Sequence, residues 1–229
     1  MQTVYLSERA QNAPFLSYLY NAVLSDVMAA GGRGELVFAG GRAAVGLELP
    51  EKDTAAERVA DAVTEVLCIG YKQKFLRERL CVSLSARERG LFIAALIAAD
   101  FAGDAAFVRA RLPGRGGCAI DGVYAFRLAP LREKWERIVR SIPASFSSRD
   151  LVHFCGFLAS ESRNKIYLKG RAVYGQDLRL LRRSRLLGEE DAETEIVLSD
   201  AGCICCLGDV EHSLGDFLQK YYAQSAIFS

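Results

Sequence analysis

The sequence predicts an α+β protein: a small β-α-β-β unit comes first, a helical region follows, and β-hairpins with a terminal helix close the chain. Apolar residues change along the chain from strand-like alternation to helical spacing and back, which indicates this order. The 229 residues are 51% hydrophobic and 25% charged, a composition that permits a buried core and excludes disorder. We expect one compact unit with two regions, residues 1–112 and 118–229.

The N-terminal β-α-β-β unit is predicted from local patterns. Residues 3–6 read as a short strand, and apolar residues recur every four positions over 14–30, as in a helix with one buried face. Two β-rich runs follow at 35–38 and 43–49, and the glycines between them permit a tight hairpin turn.

The central region is predicted to be helical. One helix covers residues 54–80, and Ser85 with Glu88 forms the capping box that opens the next helix. Gly103 is expected to end that helix, which leaves Asp104 to cap a further short one.

The second region begins with residues 118–128, which read as an extended segment. Pro130 suits the first turn of a helix whose apolar stripe contains Trp135. A tight connection places this stripe against the preceding segment, so we expect Phe126 and Trp135 to share one core. A further helix is predicted over 150–159.

The last third is predicted to form two β-hairpins and a terminal helix. Residues 165–169 and 172–174 make the first hairpin, and 195–199 and 203–207 make the second around a turn that contains glycine. The terminal helix is predicted over 210–222.

Charge and cysteine content narrow the function classes. The 29 basic and 28 acidic residues leave a net charge of +1. The overall charge therefore gives no electrostatic reason to expect binding to nucleic acid or to an anionic membrane. The N-terminal sequence lacks the pattern of a signal peptide, and no uninterrupted apolar stretch reaches the length of a membrane span. Seven cysteines, an odd number, suit reduced thiols. We therefore expect a cytoplasmic protein without a membrane anchor.

The cysteines near the C-terminus raise the question of a metal site. In a strand, Cys203 and Cys205 share a face about 6.5–7 Å apart, whereas thiolates on one zinc ion lie about 4 Å apart. Further ligands would have to come from His212, His153 or Cys118. We expect packed free thiols, partly buried histidines, and no metal or other cofactor.

A basic run is followed at once by an acidic run. Arg179, Arg182, Arg183 and Arg185 precede five acids within residues 189–195. In the first interpretation, the two runs lie in one solvated loop and neutralise each other's charge. Docking of a protein partner is the second, with Arg182, Arg183 and Arg185 as contacts. Nucleic-acid binding is a third, disfavoured because the run lacks interleaved aromatics and the acids oppose a polyanion.

The block Asp121-Gly-Val-Tyr-Ala-Phe-Arg-Leu128 is the most distinctive motif. Read as a strand, it places Asp121 and Arg127 on one face but too far apart to pair, so each is expected to anchor a neighbouring element. A ligand or catalytic site around these two residues is the alternative.

This block resembles the YtxC family of sporulation proteins from spore-forming bacteria, in which an Asp-Gly…Phe-Arg-Leu block follows a long helical region. The amphipathic helix pair that comes next in that family corresponds to residues 131–158. The resemblance implies a sporulation-associated protein without an established enzymatic activity. We therefore expect a non-enzymatic protein that acts through contacts with an unknown protein partner or with itself. An enzyme or small-ligand binder near Asp121 and Arg127, and a nucleic-acid binder through residues 179–185, are the alternatives.

Overall fold

Helices and two mixed β-sheets make up the chain, which confirms the α+β class. The computed structural model describes residues 2–49, 54–113 and 116–228. Of these described residues, helices of all types hold 58% and strands 20%. Within these ranges the α-helices are α1 Ala13–Ala29, α2 Thr54–Glu65, α3 Lys72–Arg79, α4 Ala86–Arg109, α5 Ile120–Gly122, α6 Ala129–Ser141, α7 Ser148–Glu161, α8 Ala192–Leu198 and α9 His212–Tyr222. The strands are β1 Gln2–Arg9, β2 Arg33–Ala39, β3 Arg42–Leu49, β4 Gly117–Ala119, β5 Asn164–Lys169, β6 Ala172–Tyr174, β7 Ala201–Cys206 and β8 Ala226–Phe228.

The chain divides into two compact units. The first comprises Met1–Lys72 and Gly103–Glu136, and the second comprises Gln73–Ala102 and Arg137–Ser229. This division does not follow the predicted regions 1–112 and 118–229, because each unit draws part of its helical content from the central region.

The sheet of the first unit has the strand order β2-β3-β1-β4. Strand β1 runs antiparallel to β3 with Leu6 opposite Val45, and both side chains are buried. Gly40 and Gly41 have φ of 58° and 74° in the β2–β3 turn, the left-handed region that a two-residue hairpin turn requires. Helix α1 packs against these strands, which confirms the β-α-β-β unit.

Strand β4 joins the sheet parallel to β1, and glycine is required where it does so. Gly117 has φ of 95°, and a Cβ at this position would lie 1.9 Å from the carbonyl oxygen of Tyr5. No other residue fits beside β1 at this point.

The segment after β4 coils instead of extending, so two predictions here are wrong. Residues 120–122 form α5, and Val123–Arg127 forms a π-helical turn. Coiling buries Ile120 and Val123 and turns Phe126 outwards, where it is 88% exposed, whereas Trp135 is fully buried. Phe126 and Trp135 therefore do not share a core.

A second π-helical segment, Val66–Tyr71, lies between α2 and α3. The Tyr71 hydroxyl donates a hydrogen bond of 2.6 Å to the buried Glu8 carboxylate, which also accepts one of 3.1 Å from the Asn12 side chain. Burial, with this bond to Glu8, raises the pKa of Tyr71. The Tyr71 ring lies 4.3 Å, centroid to centroid, from that of Tyr124 in the other π-helical turn.

Helix α4 begins as predicted but does not end at Gly103. The Ser85 hydroxyl accepts from the backbone N–H of Glu88, and the Glu88 carboxylate accepts from the Ser85 N–H, each at 3.3 Å, which confirms the capping box. The helix continues to Arg109, so Asp104 lies inside it and is not a cap.

Among the described residues, α4 is the one helix long and apolar enough to cross a membrane, judged by length and composition alone. Its most apolar window has a mean hydropathy of 1.9, and 56% of that window is buried within the protein. Core helices have the same composition.

The sheet of the second unit has the strand order β6-β5-β7-β8. Strands β5 and β6 form the predicted hairpin, whereas β7 runs parallel to β5. The predicted second hairpin is wrong because residues 192–198 form helix α8, capped by Asp191, which accepts a hydrogen bond of 2.7 Å from the Thr194 N–H. A strand at 195–199 would have entered β7 antiparallel, whereas α8 makes a parallel crossover from the β5–β6 hairpin.

One face of this sheet is covered and the other is open. Ile166, Leu168 and Ile204 point to the covered face and are buried, and helices α7 and α8 contact β7. The open face carries Lys165, Tyr167, Cys203 and Cys205 in adjacent positions of β5 and β7.

Candidate functional site

A cavity of about 160 Å³ lies in the second unit, between strand β6, the segment after it and the start of α8. Its polar lining includes Arg171, Arg182, Arg185 and Glu195. Two of these residues, Arg182 and Arg185, are sequence-predicted contact residues, and the fold brings them together at one cavity.

A compact reversal of the chain forms one wall of the cavity. The Gly175 N–H donates to the Arg179 carbonyl at 2.9 Å, and the Leu181 N–H donates to the Val173 carbonyl at 2.8 Å. These bonds return the chain alongside β6. A 3-10 helix, Arg183–Leu187, then ends at Gly188, which has φ of 80°.

The buried carboxylate of Glu195 holds this wall in place. Glu195 is 2% exposed, and its carboxylate accepts hydrogen bonds from the backbone N–H groups of Arg183, at 3.0 Å, and Ser184, at 2.8 Å. Burial raises the pKa of Glu195, and these N–H groups oppose the rise. The contact fixes the backbone next to Arg182 and thereby the position from which its side chain extends.

Two of the three cavity arginines have acidic partners. Arg185 Nε lies 2.7 Å from Glu190 Oε1. Arg171 Nη1 lies 3.0 Å from Glu211 Oε2, and the hydrogen bond to Glu211 raises the pKa of Arg171. These pairs fix two guanidinium groups at the edge of the cavity.

The guanidinium of Arg182 differs from the other two. Arg182 lines the cavity, and its guanidinium group makes no hydrogen bond or ion pair with any residue in the described part of the chain. A guanidinium offers a planar fork of N–H donors that matches carboxylate and phosphate oxygens. The arrangement can therefore bind an oxyanion at Arg182, whereas the charges of Arg171 and Arg185 are already balanced by carboxylates.

The other arginines of the basic run point elsewhere. The Arg183 guanidinium lies 5.3 Å from the centroid of the Phe101 ring, and Arg179 Nε lies 3.7 Å from Asp177. The interpretation of residues 179–195 as a solvated loop is wrong, since Glu193 and Glu195 are 5% and 2% exposed.

Asp121 and Arg127 lie in the first unit, and both make internal contacts. Asp121 accepts hydrogen bonds from Arg42, at 2.7 Å, and from Arg9, at 3.3 Å, which connects α5 to β1 and β3. The Arg42 guanidinium holds the pKa of Asp121 below its usual value. Arg127 donates to the carbonyl of Arg111 at 2.9 Å. These contacts anchor neighbouring elements and do not point to a ligand.

The histidines lie outside the cavity, and both are exposed, contrary to the prediction of partial burial. His153 lies on the outer side of α7. The His212 side chain is 96% exposed, with Nε2 3.7 Å from Asp216. Neither belongs to a candidate metal site, since the described residues contain no group of three or more His, Cys, Asp or Glu side chains able to hold an ion.

The predicted separation of the two neighbouring thiols is wrong. Cys203 Sγ and Cys205 Sγ lie 4.0 Å apart, because side-chain rotation brings the sulfur atoms closer than the backbone spacing. Cys206 points to the covered face and is fully buried.

Comparison of the chain with family models, curated proteins and solved structures gives no match. The resemblance to the YtxC family therefore stays a prediction.

The contributions of Arg171 and Glu195 were missed from the sequence. In the sequence, Glu195 reads as part of a solvated acidic run. One signal was available: Asp191 stands three residues before Thr194, and Ile196, Val197 and Leu198 follow, the pattern of an N-cap before a buried helical turn.

Proposed function

We propose that this protein binds a small molecule through a carboxylate or phosphate group, in the cavity lined by Arg171, Arg182 and Arg185. One observation carries the proposal: Arg182 is an exposed residue that lines this cavity, and its guanidinium group makes no ion pair in the described part of the chain. An arginine without a carboxylate partner in a partly enclosed polar cavity is a ready donor set for an oxyanion.

The size of the cavity limits the ligand. A volume of about 160 Å³ corresponds to roughly five water molecules at their share of liquid volume. This space accepts a phosphate group or a short carboxylic acid, and the rest of a larger ligand would extend into solvent.

Three acidic residues also line the cavity, and none of them is paired with Arg182. Glu190 pairs with Arg185. Asp191 accepts the Thr194 N–H, and Glu195 accepts two backbone N–H groups. Positive charge at Arg182 is thus available to a ligand.

Binding is favoured over catalysis, and a small ligand over nucleic acid. Neither histidine lines the cavity, so the most common general base at neutral pH is missing from its lining.

Arg179 and Arg185 are paired with acids, which removes the row of available cations that a polyanion requires.

Isothermal titration calorimetry tests the proposal, with inorganic phosphate, glycerol phosphate and succinate as separate probes. We expect one of them to bind in a one-to-one ratio. Arg182→Gln should weaken its binding at least about tenfold, the effect of losing a hydrogen bond between charged groups.

Arg179→Gln is the matched control, since Arg179 belongs to the same run but does not line the cavity. It should bind like the wild type. The proposal fails if none of the probes binds, or if Arg182→Gln and Arg179→Gln bind equally well.

A further inference from the structure

The open face of the second sheet carries two thiols that converge. Cys203 and Cys205 alternate with the buried Ile204 along β7, so both point away from the core. Their Sγ atoms are 4.0 Å apart, and both residues are partly exposed. Strand β7 is paired on both sides, with β5 and β8, so the backbone under the two thiols is fixed.

This geometry disfavours a disulfide between the two cysteines. Residues i and i+2 of a strand have Cα atoms about 6.6 Å apart, at the upper end of the range that a disulfide spans. Closing the sulfur atoms from 4.0 Å to about 2.05 Å would distort a strand that is paired on both edges.

An ion between the sulfur atoms requires no such distortion. Half of the 4.0 Å between the two sulfur atoms is shorter than a metal–thiolate bond, which is about 2.3 Å for zinc, so both sulfur atoms can reach one ion placed between them. The separation therefore suits one shared ion.

The surroundings decide which kind of ion fits. No third His, Cys, Asp or Glu completes the pair within the described ranges. The neighbours in the β5 register are Lys165 opposite Cys203 and Tyr167 opposite Cys205. Zinc requires four ligands in a structural site, whereas the soft ion Cu(I) is selected by thiolates and accepts low coordination numbers.

We propose that Cys203 and Cys205 form a binding site for one soft monovalent ion, Cu(I), on the open face of the sheet. The reaction is a ligand exchange without electron transfer: two thiols release two protons to solvent, and two S–Cu bonds form. The resulting group carries a net charge of −1.

Lys165 compensates this charge. Lys165 lies opposite Cys203 in the β5–β7 register, and its ammonium group attracts negative charge on both thiolates. The site thus places a cation where ion binding leaves a negative charge, which favours a complex of charge −1 over a neutral one.

Anaerobic titration of the reduced protein with Cu(I), against a chromophoric Cu(I) chelator, tests the proposal. We expect one tightly held Cu(I) per chain. Cys203→Ser and Cys205→Ser should each weaken binding by more than about 100-fold, beyond the effect of losing an outer-shell partner. Lys165→Gln should weaken it roughly twofold to fivefold, as expected for an exposed charge pair.

Cys81→Ser is the control, because Cys81 is an exposed thiol in the same unit, and it should bind Cu(I) like the wild type. X-ray absorption of the loaded protein should show two sulfur ligands per copper. Equal affinity in Cys203→Ser and wild type, or a copper shell with three or more ligands, would overturn the proposal. Thermal denaturation without copper identifies any variant that has lost its fold. In that case the X-ray absorption of the wild-type protein still tests whether copper has two sulfur ligands.

Discussion

Replacing Asp104 by asparagine should be among the most destabilising single changes in the first unit. The Asp104 carboxylate accepts hydrogen bonds from Lys72, at 2.9 Å, from the Trp135 indole N–H, at 2.8 Å, and from Lys134, at 2.8 Å. The side chains of Lys72 and Asp104 are each 1% exposed. Asparagine preserves the size of the side chain but removes the negative charge that faces a buried cation.

The expected cost follows from this burial. Breaking a buried ion pair by removing one partner costs about 3–5 kcal/mol. The bond from Trp135 to a charged acceptor is worth about 1.5–3 kcal/mol, and the two losses overlap because they share one oxygen atom. We expect Asp104→Asn to lower the free energy of unfolding by about 4 kcal/mol. With a urea dependence of about 3 kcal/mol per M, the midpoint shifts by more than about 1 M.

Trp135 is the single tryptophan of the chain, so its fluorescence during urea unfolding reports on this network. Asp61→Asn is the control: Asp61 pairs with Arg109 at the surface, and its loss should cost less than about 1 kcal/mol. Lys72→Met combined with Asp104→Asn should recover part of the loss, since it removes the buried cation. A midpoint for Asp104→Asn equal to that of Asp61→Asn would refute the reasoning.

Three further changes test the first unit by urea denaturation. Phe126→Ala should alter stability by less than about 0.5 kcal/mol, because this ring is 88% exposed; a loss above 2 kcal/mol would place it in a core after all. Gly117→Ala should cost more than about 2 kcal/mol, because its Cβ would overlap the Tyr5 carbonyl, and wild-type stability would contradict the placement of β4. Arg42 lowers the pKa of Asp121, so the stability from this pair is present above the ordinary pKa of 3.8 and lost as pH falls through the lowered value. Asp121→Asn should therefore be less stable than wild type near neutral pH and equal to it in strong acid; a difference independent of pH would exclude the pair.

Elements with a strong local signal could be predicted from the sequence. The β2–β3 turn has two glycines where positive φ is needed, and Ser85 with Glu88 makes the expected capping box. Helix α1 shows regular apolar spacing and buries the predicted side chains, such as Leu19 and Val23. In each case the residues that decide the structure lie within a few positions of one another.

Elements whose structure depends on distant contacts could not be predicted. Residues 123–127 contain Val, Tyr and Phe, which favour strands, yet they coil because Tyr124 packs on Tyr71 and Val123 enters the core. The acids of α8 read as solvated, yet Glu195 is buried because it caps backbone N–H groups of residues 183 and 184. These contact partners lie more than ten positions away in the sequence, so they produce no periodic pattern from which the contact could be predicted.

The candidate sites show the same limit at the level of side chains. The sequence predicts both Arg182 and Arg185 as contact residues. It does not predict that Arg185 pairs with an acidic residue whereas Arg182 does not. For Cys203 and Cys205, strand geometry predicts the spacing of the backbone, whereas the 4.0 Å between the sulfur atoms depends on side-chain rotation.

Both proposed sites lie in the second unit and share one support. Helix α8 contributes Glu195 to the wall of the cavity and leads directly into β7, which carries the two thiols. Unfolding of α8 would therefore abolish both binding activities. In contrast, Arg182→Gln should impair only oxyanion binding, and Cys203→Ser should impair only Cu(I) binding. Measuring both activities on both variants separates a lost site from a lost fold: each variant must retain the activity of the other site, and a variant that loses both has lost the support they share.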